Sequence, residues 1–302
     1  MIGKTVRNTL GIGRSTKGLS ESLDVIKINQ GLILSHHYGS QTSRDINDYE
    51  FKVFSQFGDD GIIQFLTRVI DIEHRTFIEF GVEDFSESNC RFLMQKDNWS
   101  GFVIDGSEEN IERLKNFTWY WRHDLQAVAA FINADNINHL LELSGFDGDL
   151  GILNIDIDGV DYYVLEAIQR FRPRILITEY NSIFGARRAI TVPYRHDFIR
   201  TRAHPSNLFY GASLPALQDL ASSKGYTFVG CNSAGNNGYF IRDDLMNDQV
   251  RSLGVEEGYV VSKFRESRDQ NGRLTHLRSG AREDAIRGMT VYNVRSRSEE
   301  PF

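Results

Sequence analysis

The chain has 302 residues, 40% of them apolar and 25% charged, enough to bury a full core and too apolar for a disordered or fibrous polymer. Its 34 Lys and Arg against 41 Asp and Glu leave a formal charge of −7, which excludes a general attraction to nucleic acid or anionic membranes and favours a small or neutral partner. Two distant cysteines (Cys90, Cys231), no apolar leader and no run near the roughly 20 apolar residues of a membrane span point to a cytoplasmic protein.

Residues 1–48 are polar and interrupted by Gly11, Gly13 and Gly18 before a helix carrying Leu19, Leu23, Ile26 and Ile28. They read as an N-terminal arm, a natural place for a homodimer contact. The run SHHYGSQTSRDIND is rich in turn formers and sets the start of the main domain near Tyr49. Ile62, Ile63, Leu66, Val69 and Ile70 then form the stripe of a helix, and the first strand follows at 76–80. A second strand at 101–105 leads to Ser107, a helix cap with Glu108 and Glu109 in the first turn. Strands at 125–132, 150–156 and 174–180 alternate with helices carrying Ile137, Leu140 and Leu141, and then Val160, Val164, Leu165 and Ile168. Ser213 caps a helix through Leu214, Leu217, Leu220 and Ala221 that stops at Gly225.

The last two strands of the domain, 227–231 and 239–242, are separated by too few residues for a crossover helix, so they must form an antiparallel hairpin. The expected fold is therefore α/β and Rossmann-like, a mostly parallel sheet ending in one antiparallel hairpin, over residues 49–245. Residues 246–302 are more charged and less periodic, with one β-like run at 289–294, and read as a C-terminal appendage.

Candidate chemistry lies at strand ends. Glu79 and Gly81 close the first strand, and Ser86 or Ser88 can cap the next helix, so a cofactor meets backbone N–H groups there. The loop reads GVEDF, and Glu83 and Asp84 would repel a pyrophosphate while suiting the sulfonium, ammonium and hydroxyls of S-adenosylmethionine. Asp105 stands 26 residues after Glu79, near the spacing of an acid that binds an adenosine ribose. Asn133 and Asp135, after the third strand, stand where an adenine amino group can be bound. In NIDIDGVDYYVL, strand alternation puts Asp156 and Asp158 on one side if the strand runs through both. With Glu179 and Asn181 on the next strand they can hold a divalent cation such as Mg2+, or serve as a general base on an acceptor hydroxyl. The plainer alternative makes Asp158–Gly159 a turn and Asp161 a helix cap. The long stretch between Asn181 and Gly211 is placed to cover an acceptor.

The segments FSQFGDDGII, FIEFGVEDFSESNCRFL, WSGFVIDGS, NIDIDGVDYYVLEAI, ITEYNS and YGASLPAL together resemble the FkbM-type methyltransferase family over roughly residues 49–244. That resemblance implies a Rossmann-like fold, S-adenosylmethionine as donor, and O-methylation of sugar, glycan or glycosylated natural-product hydroxyls. It sets Glu79 and Gly81 beside the methionine moiety, Asp105 at the ribose, and Gln56 and Asp60 near the cofactor's amino-acid end. It also implies magnesium held by Asp156 with Glu179. The chain departs from the usual methyltransferase loop in having Glu83 and Phe85 where further glycines stand. Two other readings compete: a metal-dependent glycosyltransferase using Asp156 and Asp158 as a DxD pair, and a noncatalytic interaction module.

Overall fold

A computed structural model describes residues 2–302, with side-chain surroundings from Leu19 onward, Ser20 aside. Helix α1 spans Ile2–Gly39 without a break at the three glycines expected to interrupt it. It is held against the domain at Gly31, where a Cβ would come within 2.6 Å of the Phe92 ring. Asp24 adds a 2.5 Å bridge to Arg91, whose guanidinium lies 4.0 Å from the Phe54 ring centre. None of the described helices is long and apolar enough to cross a membrane.

Helix α2 (Asp59–Val69) precedes strand β1 (Thr76–Phe80), and α3 (Arg91–Asp97) leads to β2 (Ser100–Asp105). Helix α4 (Glu108–Lys115), β3 (Leu125–Ala129), α5 (Ile137–Glu142), β4 (Ile152–Ile155), α6 (Asp161–Ala167) and β5 (Ile175–Glu179) complete the alternating part. Ser107 caps α4 as expected, its Oγ accepting from Asn110 N. The covering stretch contains a short strand β6 (Ile190–Thr191) and α7 (Arg200–Ala203). Helix α8 (Leu214–Ser223) precedes the hairpin of β7 (Tyr226–Cys231) and β8 (Asn237–Arg242).

Seven strands form one sheet in the order β3-β2-β1-β4-β5-β8-β7. The first five are parallel and β8 runs antiparallel to both its neighbours. This is the Rossmann-like sheet with a terminal antiparallel hairpin. The chain builds outward from β1 to β3, then returns to place β4 on the other side of β1, so a crevice opens between the carboxyl ends of β1 and β4. Period-two alternation sorts the strand residues between two cores. Phe77, Val103, Ile152, Ile177 and Tyr239 face α2 and α4, while Ile78, Phe80, Leu153, Leu176 and Phe240 face α5, α6 and α8.

Residues after 245 do not stand apart. Helices α9 (Val255–Gly258) and α10 (Gly280–Ile286) and strands β9 (Thr290–Asn293) and β10 (Ser298–Pro301) fold back on the domain. Ile286 and Val291 are fully buried in the α8-side core. Strand β9 lies between β10 and β6 in a small antiparallel sheet, so the C-terminal segment pins the covering stretch.

Candidate active site

A cavity of about 360 Å³ opens at the carboxyl ends of β1, β4 and β5. Among the residues expected at a cofactor or catalytic site, Gln56, Glu79, Gly81, Glu83, Asp156, Asp158 and Glu179 line it. The cavity wall carries seven carboxylates, Glu79, Glu83, Glu87, Asp156, Asp158, Glu179 and Glu266, against the single guanidinium of Arg200.

The loop after β1 is shaped from within. Glu79 is 3% exposed, and its carboxylate accepts from Ser88 Oγ (2.7 Å), Asn89 N (2.8 Å), Cys90 N (3.2 Å) and Asn154 Nδ2 (3.0 Å). Four bonds occupy its acceptor positions, so Glu79 organises the loop from the cavity wall. Burial lifts its pKa, and the Ser88, Asn89, Cys90 and Asn154 bonds oppose the rise. Gly81 has φ +69° and a Cβ there would sit 1.7 Å from Asp156 O. The close approach that requires glycine is thus between β1 and β4 themselves, at the switch point. Glu83 and Phe85 take positive φ without being glycine, and Glu83 N donates to Asp105 Oδ2 at 2.8 Å. The Asp105 Oδ1 accepts from Ser107 N, so this carboxylate joins the loop to the first turn of α4.

The three expected acids on β4 and β5 do converge: oxygens of Asp156, Asp158 and Glu179 lie within 4.8 Å of one another. They converge by a route other than strand alternation. Strand β4 ends at Ile155, and Asp158 turns back with φ +54° before Gly159. Asp161 holds that turn, accepting from Ile157 N (2.8 Å) and Gly159 N (2.9 Å). The expected Asp158–Gly159 turn and the convergent acids therefore belong to one structure, but Asp161 is not the expected helix cap: Val160 holds that position without a side-chain bond, and Asp161 opens the helix. Burial raises the pKa of Asp156 and Glu179 well above the carboxylate range; the charges of Asp158 and Asp161 push Asp156 further up while its hydrogen bond with Glu179 pulls it down, and the charge of Asp156 adds to the rise at Glu179.

Asp105 is not on the cavity wall, and three more expected residues lie elsewhere. Asn181 is 1% exposed, with Oδ1 accepting from Ile183 N and Nδ2 donating to the carbonyls of Leu208 and Tyr210. Its oxygen caps a turn, so it is no fourth metal ligand. Asp60 is buried at the start of α2, where one oxygen collects Val53 N, Phe54 N, Ser55 N and Ser55 Oγ. It fixes the segment that carries Gln56 without reaching the cavity. Asn133 folds onto its own turn, accepting from Asp135 N and Asn136 N, and lies outside this cavity.

Four residues at the site escape sequence reasoning. Arg200, from α7, places Nη1 2.5 Å from Asp158 Oδ1 and lies 4.1 Å from the centre of the Tyr210 ring. Tyr210 OH donates to Glu179 Oε1 at 3.5 Å. Phe264 and Glu266 come from the supposed appendage, Phe264 stacking on Phe57 with ring centres 6.1 Å apart. No local motif marks Arg200, Phe264 and Glu266, because long-range folding brings them in, whereas Tyr210 opens the segment YGASLPAL. A fifth, Asn154, sat unremarked inside a motif that was read: it is buried on the cavity wall with Oδ1 unpartnered.

A larger cleft of about 700 Å³ lies at the opposite end of the sheet, beside His36, His37, Arg68 and Lys96. These basic side chains sit in the last turns of α1, α2 and α3, and the positive charges of Arg68 and Lys96 offset the negative ends of the α2 and α3 dipoles. That accounts for the basic lining without a ligand.

No protein-family model matches the chain, and no curated protein matches it. Solved structures with a similar arrangement include the N-terminal domain of EvdMO1 with SAH bound, at 11% identity, 62% of this chain, 80% of that chain and a TM-score of 0.40. Others are a geranyl diphosphate C-methyltransferase from Streptomyces coelicolor A3(2) (11%, 57% and 61% covered, TM-score 0.36) and a SAM-dependent methyltransferase from Aquifex aeolicus (9%, 60% and 89%, 0.34). At such TM-scores the likeness assigns nothing further to this chain.

Proposed function

We propose that the chain is an S-adenosylmethionine-dependent O-methyltransferase of FkbM type, acting on a hydroxyl of a sugar, glycan or glycosylated natural product. The observation that carries this reading is the acid-lined cavity at the β1–β4 switch point, seven carboxylates against one guanidinium. A cationic occupant suits it. The unpartnered Asn154 Oδ1 asks for a donor such as an ammonium, and burying an acceptor without one costs about 1–3 kcal/mol. A nucleotide diphosphate sugar would set its phosphates against the same carboxylates, which disfavours the glycosyltransferase alternative.

When bound, S-adenosylmethionine supplies an electrophilic methyl group on a sulfonium. In this reading the Gly81–Glu83 backbone and Asn154 border its amino-acid end, with Asp105 toward the ribose. Asp156 and Glu179 face the acceptor, and burial makes the pair hold a proton more tightly than ordinary carboxylates do, so whichever of them is ionised can take the acceptor's proton. Asp156, Asp158 and Glu179 offer acceptor-only oxygens in a spread that a hard divalent ion can bridge, and such an ion would acidify a bound hydroxyl. Phe264, Glu266 and Arg200 also line the cavity and would meet the acceptor.

Calorimetry with S-adenosylmethionine, S-adenosylhomocysteine and a uridine nucleotide sugar tests the reading. Binding of the first two, with none of the third, is the expected result. Binding of the nucleotide sugar alone overturns it, and binding of none returns the fold to the interaction-module reading.

A further inference from the structure

We infer that Arg200 is the resident cation of the carboxylate cluster and that it and a divalent ion are alternative occupants of Asp158. This rests on the cluster's proposed cation-holding role, and not on which cofactor fills the cavity.

The guanidinium is held on every side. Nη1 lies 2.5 Å from Asp158 Oδ1, Nη2 lies 3.5 Å from Glu266 Oε2, and Nε donates to Asn207 O at 2.7 Å. Its plane rests on Tyr210, whose hydroxyl donates to Glu179. The Arg200 side chain is 14% exposed, whereas Asp158 is 49% exposed, so the carboxylate reaches to the guanidinium from a more open position. This is a seat with directional partners, unlike an exposed ion pair between two mobile chains.

Two consequences follow. A divalent ion bridging Asp156, Asp158 and Glu179 would share the Asp158 carboxylate with a guanidinium already in contact with it, and two cations on one carboxylate repel. An ion that takes Asp158 Oδ1 must displace the guanidinium from it. Arg200 also ties together three separate segments: the turn after β4 through Asp158, the covering stretch through α7 and Asn207, and the C-terminal segment through Glu266. Entry of an ion at Asp158 therefore loosens the wall of the cavity, while loss of the ion lets it close.

The test uses Mn2+ and Mg2+ alone, titrated calorimetrically into the full chain without donor or acceptor. Arg200→Gln should bind Mn2+ roughly tenfold or more tightly than the wild type, Arg200→Lys should stay close to the wild type, and adding Asp158→Asn to Arg200→Gln should abolish the gain. Equal affinity of wild type and Arg200→Gln overturns the inference, as does absence of ion binding in both. If Arg200→Gln fails to fold, the wild type serves. Saturating Mn2+ should then speed amide hydrogen exchange across Arg200–Ala203, and unchanged exchange, or no binding, overturns it. Competition seen in a chain that binds no S-adenosylmethionine would refute the methyl-transfer reading and leave this one standing.

Discussion

Asp161 shows how one side chain can carry both the geometry and the pH response of the site. Its two oxygens accept the amides of Ile157 and Gly159, which sets the left-handed turn at Asp158 and aims that carboxylate at Arg200. Burial pushes its pKa up to about 6 from 3.8, against the two amide bonds that pull it down. A folded value above the unfolded one means that this group's contribution to stability is whole below about pH 4 and is lost as pH rises through about 6. The shift corresponds to about 3 kcal/mol. In urea unfolding, Asp161→Asn should therefore gain about that much relative to wild type between about pH 4 and pH 7. An unchanged difference across that range would show that burial does not govern the group. At this scale the sequence is informative about residue type and poor about allegiance. Asp156, Asp158 and Glu179 are legible as strand-end acids, but nothing local shows that Glu79 spends its acceptors on its own loop or that Asn181 spends its oxygen on Ile183 N. Such assignments depend on which amide lies in reach after folding.

Elements were the most readable level, because each carries its own signal. The helix caps Ser107 and Ser213, the strand at 76–80 and the short gap between β7 and β8 are local, and the structure has them where they were expected. The misses are at ends: β3 and β4 stop earlier than their apolar runs, since a strand ends where its neighbour's register ends. Ser213 does more than cap. Its Oγ accepts from Ala216 N and Ile190 N and donates to Arg188 O, so one buried hydroxyl starts α8 and fixes β6. Ser213→Ala should cost about 2 kcal/mol, the upper part of the range for lost caps, since Ile190 N and Arg188 O also lose a partner. Thermal and chemical unfolding would measure it, and a loss under about 0.5 kcal/mol would mean that water replaces the hydroxyl freely.

For the whole molecule, the expected boundary at 245 divides what folding joins. Residues past it supply Ile286 and Val291 to the main core, Phe264 and Glu266 to the cavity and β9 to β6. Their charge and weak periodicity disguised this, because a segment that packs through scattered contacts shows no regular apolar stripe. A fragment ending at Leu245 should be insoluble or lack a cooperative melt by circular dichroism. A soluble fragment with a sharp transition would restore the appendage description. The N-terminal helix was disguised in the opposite way: glycines that read as breaks are tolerated, and Gly31 is where α1 needs the smallest residue to meet Phe92.

The pairing of β6 with β9 also has a meaning in time. A ribosome delivers Ile190–Thr191 long before Thr290–Asn293, so the parallel strands and their acids can assemble while the wall bearing Arg200 still lacks its anchor. The nascent protein would pass through a stage with its acidic crevice open to solvent, and closure would wait until β9 has emerged. Maturation of the site is thereby tied to completion of the strand that pins its cover.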